Sequence, residues 1–178
     1  DKAMVLSWVG FRLRALGRLR EAAQPMQAGL EARIRQKNGE EAAKDAGNLS
    51  ELYLMLGDLP QAVTYARQSV DFADRSGDAF LRQTSRAWLA DSQYQVGELL
   101  ESKRLFREVE AIQQERWPEY PYLYSLQGFQ FCDLLLSQGV YQEVHTRAAQ
   151  TLKWVTQQNW LLDIALDNLL RIQNPPGN

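Results

Sequence analysis

Residues 49–62, LSELYLMLGDLPQA, decide the fold of this chain. Large apolar residues in the first half lie three or four positions apart, which is the spacing of a helix with one buried face. Gly57 adopts a left-handed conformation at little cost, so it can end that helix. Asp58 is a good N-cap residue, and Pro60 fits the first turn of a new helix. The stretch therefore predicts two helices joined by a tight turn.

The same pattern recurs along the chain. The glycine returns at spacings of 40, 40 and 42 residues: Gly17, Gly57, Gly97 and Gly139. A small residue stands seven positions before each glycine: Gly10, Ser50, Ala90 and Cys132. An acidic or amide residue stands four positions after it: Glu21, Gln61, Glu101 and Glu143. Columns that agree over four copies predict a repeated helical pair, in which the small residues let two helices approach closely.

These columns predict an all-α chain of about nine helices. The first helix of each pair is expected near residues 4–16, 40–56, 79–96 and 121–138. The second helix is expected near residues 19–36, 59–75, 99–116 and 141–157, and a closing helix near 160–172. The predicted core contains these residues: Leu13, Leu16, Leu49, Leu52, Tyr53, Leu56, Leu89, Val96, Phe106, Phe131, Leu134, Leu135 and Trp154.

The helices define one predicted array over residues 1–172. Its repeats lie near residues 3–38, 39–78, 79–120 and 121–158, followed by the closing helix 160–172. Residues 173–178 contain two prolines and a glycine, so this tail is expected to be disordered.

Residues 49–62 resemble a tetratricopeptide repeat (TPR), with its L-x3-Y-x3-G-x4-A spacing. The resemblance covers roughly residues 3–172. The usual period is about 34 residues, so the longer period here resembles a long-helix subclass, found in repeat arrays of large bacterial signalling NTPases and regulators. The resemblance implies a right-handed superhelical solenoid of antiparallel helix pairs, with a concave groove that binds a protein or peptide.

The resemblance also implies which side chains face the groove. The ligand-groove candidates are these: Glu51, Asp91, Asp133, Trp88, Tyr94, Phe129, Asn48 and Gln130. The three acids stand six positions before successive glycines, so one hypothesis is that they pair with Lys or Arg of a basic peptide. The aromatic candidates would then hold apolar anchors. The alternative is that the acids form the solvated stripe of amphipathic helices and that the aromatic residues belong to the core.

Charge is distributed unevenly along the chain. Residues 1–37 contain eight basic and three acidic residues, a net charge of +5, and the remainder contains twelve basic and nineteen acidic residues, a net charge of −7. A basic end patch is expected at four arginines: Arg12, Arg14, Arg18 and Arg20. A basic end and an acidic body could associate head to tail between molecules. The alternative is a solvated face on the first helical pair.

Composition and motifs exclude several classes of protein. A hydrophobic content of 45% supports a packed core, and the net charge of −2 argues against bulk nucleic-acid binding. The longest apolar runs are only a few residues, so no membrane-spanning segment is expected. The phosphate-binding loop, the dinucleotide motif and the nucleophile elbow are all missing from the sequence. We therefore expect no enzyme activity, no cofactor and no metal site.

The few reactive side chains have simpler interpretations. Cys132 falls in the column of small residues, so it is expected to be a buried packing residue rather than a nucleophile. His145 is the only histidine and is expected at the surface or the groove edge. Asp163 and Asp167 lie one helical turn apart, which is typical of a solvated helix face.

The sequence thus favours a protein- or peptide-binding scaffold, part of a larger bacterial signalling protein. The lone cysteine and the absence of a secretory signal favour the cytoplasm. The alternative function is a self-association or intramolecular packing element with no separate ligand, which would form a weak homo-oligomer.

Overall fold

The structure is a computed structural model that describes residues 1–173. Within this range the chain forms nine helices and no strand. The helices are α1 (Lys2–Ala15), α2 (Leu19–Arg35), α3 (Gly39–Leu56), α4 (Leu59–Ser76), α5 (Ala79–Gln95), α6 (Leu99–Arg116), α7 (Ser125–Ser137), α8 (Tyr141–Gln157) and α9 (Leu161–Gln173). The all-α prediction is confirmed. None of these helices is both long enough and apolar enough to cross a membrane.

The helix ends form as the quoted stretch predicts. Gly57 is left-handed, with φ of 77°, and its N–H donates to the Leu54 carbonyl oxygen. Asp58 caps α4, because its carboxylate accepts from the Gln61 N–H at 3.3 Å. The other three glycines of the column also have positive φ, between 72° and 86°. These turns are set by local chemistry, which is why the sequence predicts them.

The chain divides into two compact units, Asp1–Leu105 and Phe106–Asn178, with the division inside α6. The first unit packs mainly with small residues. One cluster of buried residues joins α2 and α3: Ala22, Met26, Leu30, Ala42, Ala46, Leu49 and Leu52. The four small residues that stand seven positions before the turn glycines are all buried, as predicted: Gly10, Ser50, Ala90 and Cys132.

The second unit packs around larger and charged side chains. The Phe106 and Phe131 rings stack with their centroids 5.1 Å apart. The Arg147 guanidinium lies over the Phe131 ring at 4.6 Å and makes two hydrogen bonds to the Glu110 carboxylate, at 2.6 and 2.9 Å. Glu110 also accepts from the Leu123 N–H at 3.1 Å.

The predicted start of α7 is wrong. Residues 117–124 form a non-helical strap, and α7 begins at Ser125 rather than near 121. The Gln113 amide of α6 donates to the carbonyl oxygens of Tyr120 and Tyr122, at 2.8 and 2.7 Å. Pro121 also disfavours a helical conformation in the residue before it. The Gln113 side chain of α6 and Pro121 therefore keep the strap in a non-helical conformation.

Two predicted core residues are exposed. Leu16 and Val96 are the C-cap residues of α1 and α5, and their side chains reach solvent (73% and 38% exposed). Each lies at the last turn of its helix, directly before a left-handed glycine, Gly17 or Gly97. The other predicted core residues are buried or half-buried. The predicted disordered tail, apart from Gln173 at the end of α9, lies outside the described residues.

Candidate functional site

Two adjacent cavities open on the first unit. The first has a volume of about 300 Å³ and lies between α1 and α3, with α2 contributing Met26 and Arg33. The second has a volume of about 450 Å³ and lies between α1, α3 and α5. Phe11 of α1 lines both cavities. The two cavities form one candidate groove, which lies along the first helix of each of the first three predicted repeats.

The walls of the groove expose large apolar side chains. Trp8 is 56% exposed and Phe11 is 46% exposed, and both belong to the first cavity together with Met4. Met55 is 57% exposed in the second cavity, beside Leu54. Water-exposed aromatic and methionine side chains in a concave surface favour binding of another apolar group, because binding removes that surface from water.

The polar wall of the first cavity belongs to α3 and is partly desolvated. The Asp45 carboxylate accepts from the Ser7 hydroxyl at 2.8 Å, and its Oδ2 lies 3.9 Å from the Arg33 Nε. Burial raises the pKa of Asp45, despite that hydrogen bond and the nearby Arg33 charge. Lys44 pairs with Glu41 at 2.7 Å at the edge of the cavity. This wall therefore offers fixed charges beside an apolar floor.

Glu51, the first of the three predicted acids, already has two partners in the second cavity. Its Oε2 accepts from Arg14 Nη1 at 2.8 Å, and its Oε1 accepts from the Trp88 indole N–H at 2.9 Å. Trp88 is half-buried, and its ring fills the space beside Gly47 that a Cβ would occupy. Glu51 thus connects α1, α3 and α5 in the second cavity.

The remaining candidates fall on both units. Asp91 lines the second cavity with Glu51, and Asn48 lines the first. Tyr94 is half-buried near the end of α5. The other three candidates lie on α7 of the second unit, where each is half-buried: Phe129, Gln130 and Asp133.

The four arginines of the predicted basic patch have separate surroundings. The Arg12 guanidinium lies 5.2 Å from the Trp8 ring centroid. Arg14 belongs to the groove through Glu51, and Arg18 pairs with Glu21 on the surface. Arg20 is exposed on α2. The positive charge of this region is therefore partly used in internal pairs.

Sequence reasoning missed several groove residues. Met4 and Lys44 occupy a column thirteen positions before the glycine, and Trp8 and Phe11 occupy columns that contain selected candidates, so the repeat spacing could have found all four. No sequence signal indicates that Ser7 and Asp45 meet, because they are 38 residues apart and belong to no shared column.

Of the predictions made for titratable side chains outside the groove, one is confirmed and one is wrong. Cys132 is buried as predicted, and burial raises its pKa to about 12, so the thiol is not nucleophilic at neutral pH. The interpretation of Asp167 as part of a solvated face is wrong, because its side chain is buried in the second unit. Burial raises the pKa of Asp167 to about 6. His145 is half-buried on α8. Among the described residues, no three His, Cys, Asp or Glu side chains group as metal ligands would.

The helical pairs and their turns match solved structures. A crystal structure of "nearly identical TPR-like repeats" of a "putative kinesin light chain" from Podosopora anserina aligns over 99% of both chains, with a TM-score of 0.69 and 13% identity. The fold is TPR-like. A second crystal structure of such repeats from that organism covers 86% of this chain and 74% of its own, with a TM-score of 0.69 and 17% identity. Neither a protein-family model nor a curated protein matches the chain.

Proposed function

We propose that this TPR-like chain is a scaffold that binds a protein segment or peptide in the groove between α1, α3 and α5. TPR-like repeats are generally protein-interaction scaffolds. The observation that carries the proposal is the pair of adjacent cavities that share Phe11, with Trp8, Met4 and Met55 exposed around them. A bound segment would insert one apolar side chain into each cavity, since the first cavity reaches and the second exceeds the lower end of ligand-pocket volumes, about 300 Å³.

The charges of the groove favour a ligand that also carries Lys or Arg. Four carboxylates line the two cavities, against three cations: Glu41, Asp45, Glu51 and Asp91 against Arg14, Arg33 and Lys44. A basic residue next to an apolar anchor would therefore meet a small excess of negative charge. On the second unit by itself, Phe129, Gln130 and Asp133 of α7 remain proposed ligand contacts. The proposed setting is a cytoplasmic signalling protein, which identification of the partner would test.

The test begins with selection of peptides from a random displayed library against the whole chain. Affinity of a selected peptide is then measured by calorimetry for the wild type and for two matched variants, Phe11→Ala and Phe80→Ala. Both phenylalanines are about half exposed, at 46% and 55%, and Phe80 lines neither cavity.

We expect Phe11→Ala to weaken binding about tenfold or more, because it removes a wall shared by both cavities. Phe80→Ala should leave the affinity unchanged, and selected peptides should be enriched in Lys or Arg beside aromatic or aliphatic residues. Equal losses for the two variants, or a library that yields no binder, would overturn the proposal.

A further inference from the structure

An apolar stripe runs along α1 beside the proposed peptide groove, and most of its residues lie outside that groove. Val5, Val9 and Leu16 are 55%, 46% and 73% exposed. Together with Leu13 they follow the spacing of three and four residues that keeps side chains on one face of a helix. These side chains line a shallow surface cleft, and Met4 and Trp8 complete it beside the first cavity. α1 is nevertheless docked through its other side, where Ala3 and Gly10 are buried.

α9 carries a second apolar stripe. Leu161 and Leu162 are 73% and 70% exposed, and Leu169 is 42% exposed. The opposite side of the same helix is buried through Leu170 and Asp167. Each of the two helices therefore packs with one face and leaves a second apolar face in water, which is uncommon in isolated soluble proteins.

The two stripes lie in regions of opposite charge. Residues 1–37 have a net charge of +5, and the charged residues of α1 itself are all basic: Lys2, Arg12 and Arg14. Residues 106–173 contain five basic and eight acidic residues, a net charge of −3. Contact between two α1 stripes would bring like charges together, whereas contact between α1 and α9 brings opposite charges together.

We propose that the α1 stripe of one copy of this chain docks on the α9 stripe of a second copy. The contact is heterologous, so each docked pair keeps one unused α1 stripe and one unused α9 stripe. Further copies add to these, so the mean molar mass rises with protein concentration. Salt weakens the contact, because it screens the attraction between the basic and acidic regions.

The experiment measures molar mass by light scattering, from micromolar to millimolar protein, at low and high salt. Two variants each block one stripe at an exposed position, Val5→Glu on α1 and Leu162→Lys on α9. Leu100→Lys is the control, because Leu100 is 85% exposed on α6 and belongs to neither stripe. Circular dichroism confirms that each variant keeps its helical content.

The wild type and Leu100→Lys should rise above the monomer mass of 20.4 kDa as concentration increases, and less so at high salt. Each blocking variant alone should stay monomeric, with a dissociation constant raised about tenfold or more. An equimolar mixture of the two should form a dimer, since Val5→Glu retains a usable α9 stripe and Leu162→Lys retains a usable α1 stripe. That dimer should not grow further.

Three outcomes would overturn the proposal. A wild type that stays monomeric at every concentration would show that copies of the chain do not bind each other. Dimers of Leu162→Lys alone would show that α1 docks on α1. A mixture that stays monomeric, while the wild type associates, would show that the contact lies elsewhere. The peptide-binding test is independent of all three, because it depends on Phe11 in a monomer.

Discussion

The two units bury polar groups in different ways. In the first unit five serines are buried, and pairs of them share hydrogen bonds: Ser50 with Ser92 at 3.0 Å, and Ser69 with Ser85 at 2.7 Å. In the second unit a full ion pair is buried, with Glu110 and Arg147 side chains only 6% and 2% exposed. Neutral pairs suit closely packed small residues, whereas a buried ion pair makes each charge depend on its partner.

The first unit also contains ion pairs: Arg33 and Asp45 are both largely buried but lie 3.9 Å apart, whereas one partner of the pair between Arg86 and Asp74 reaches water. Arg86 pairs with Asp74 at 2.8 Å, and the Asp74 side chain is 43% exposed. Because Asp74 is exposed, water can take the place of its carboxylate beside the buried Arg86, so the cost of losing it is smaller than for a pair in which both members are buried. The comparison therefore predicts that the second unit is the more sensitive to removal of a single charge.

The largest expected effect is that of Glu110→Ala. The substitution leaves the buried Arg147 charge with Glu143 at 2.8 Å but without Glu110, and it removes the acceptor of the Leu123 N–H, so we expect the free energy of unfolding to fall by about 3 kcal/mol. Chemical denaturation followed by circular dichroism measures it. The control is Glu101→Ala, which breaks the exposed pair with Arg104 and should cost at most about 1 kcal/mol. Similar losses for both variants would contradict the contrast between the units.

A double variant sharpens the same test. Glu110→Leu with Arg147→Met replaces both charges by apolar groups of similar length, so no charge remains unpaired. We expect it to recover most of the stability that Glu110→Ala loses, because a buried ion pair gains little over a well-packed apolar pair. The Leu123 N–H still loses its acceptor, so recovery should be incomplete.

We expect the first unit to lose stability when a side chain is enlarged rather than when a charge is removed. A Cβ at Gly47 would clash with the Trp88 ring, so Gly47→Ala must displace the indole that donates to Glu51. We expect a loss of about 1–3 kcal/mol in the free energy of unfolding and a change in tryptophan fluorescence. Gly39→Ala is the control, since the nearest atom to its Cβ lies at 4.0 Å. Equal stability of the two variants would show that the packing against Gly47 tolerates adjustment.

The sequence was sufficient where local chemistry decides the structure. The turn glycines, the Asp58 cap and most helix bounds follow from side chains within one turn of the feature they control. The predicted start of α7 is wrong because Gln113 and Glu110 of α6 hold the strap in a non-helical conformation. Their contacts join residues seven to thirteen positions apart in the sequence, which local patterns do not indicate. The prediction that Leu16 and Val96 are core residues is wrong because hydrophobic periodicity alone does not show whether the end of a helix is covered.

The candidate groove was predictable only in part, for a similar reason. The TPR resemblance, applied at the repeat spacing, predicted groove positions for Glu51, Asp91 and Asn48, and these three residues line the cavities. Spacing does not reveal partners, so it could not show that Glu51 is shared between Arg14 and Trp88. It also could not distinguish Asp167 from a solvated acid, since its burial depends on how α9 packs.

Asp167 supplies the smallest predicted effect, and one that depends on pH. Its Oδ2 is buried without a hydrogen-bond partner in the described part of the chain, and burial raises its pKa from 3.8 to about 6. The folded form therefore holds a proton that the unfolded form releases between these values, so stability falls as pH rises through 4 to 6. Asp167→Asn removes this dependence. We expect it to raise the free energy of unfolding by about 1–2 kcal/mol at pH near 8 and to have little effect near pH 3.

Denaturation of the wild type and Asp167→Asn across this pH range measures the difference. Asp71→Asn is the control, because Asp71 is exposed on α4, and its effect should be small at every pH. A stability gain for Asp167→Asn that is equal at acid and neutral pH would mean that packing of the amide, rather than loss of a buried charge, is responsible. The second unit would then be sensitive to its paired charges alone, and the contrast with the serine-rich first unit would rest on Glu110 and Arg147.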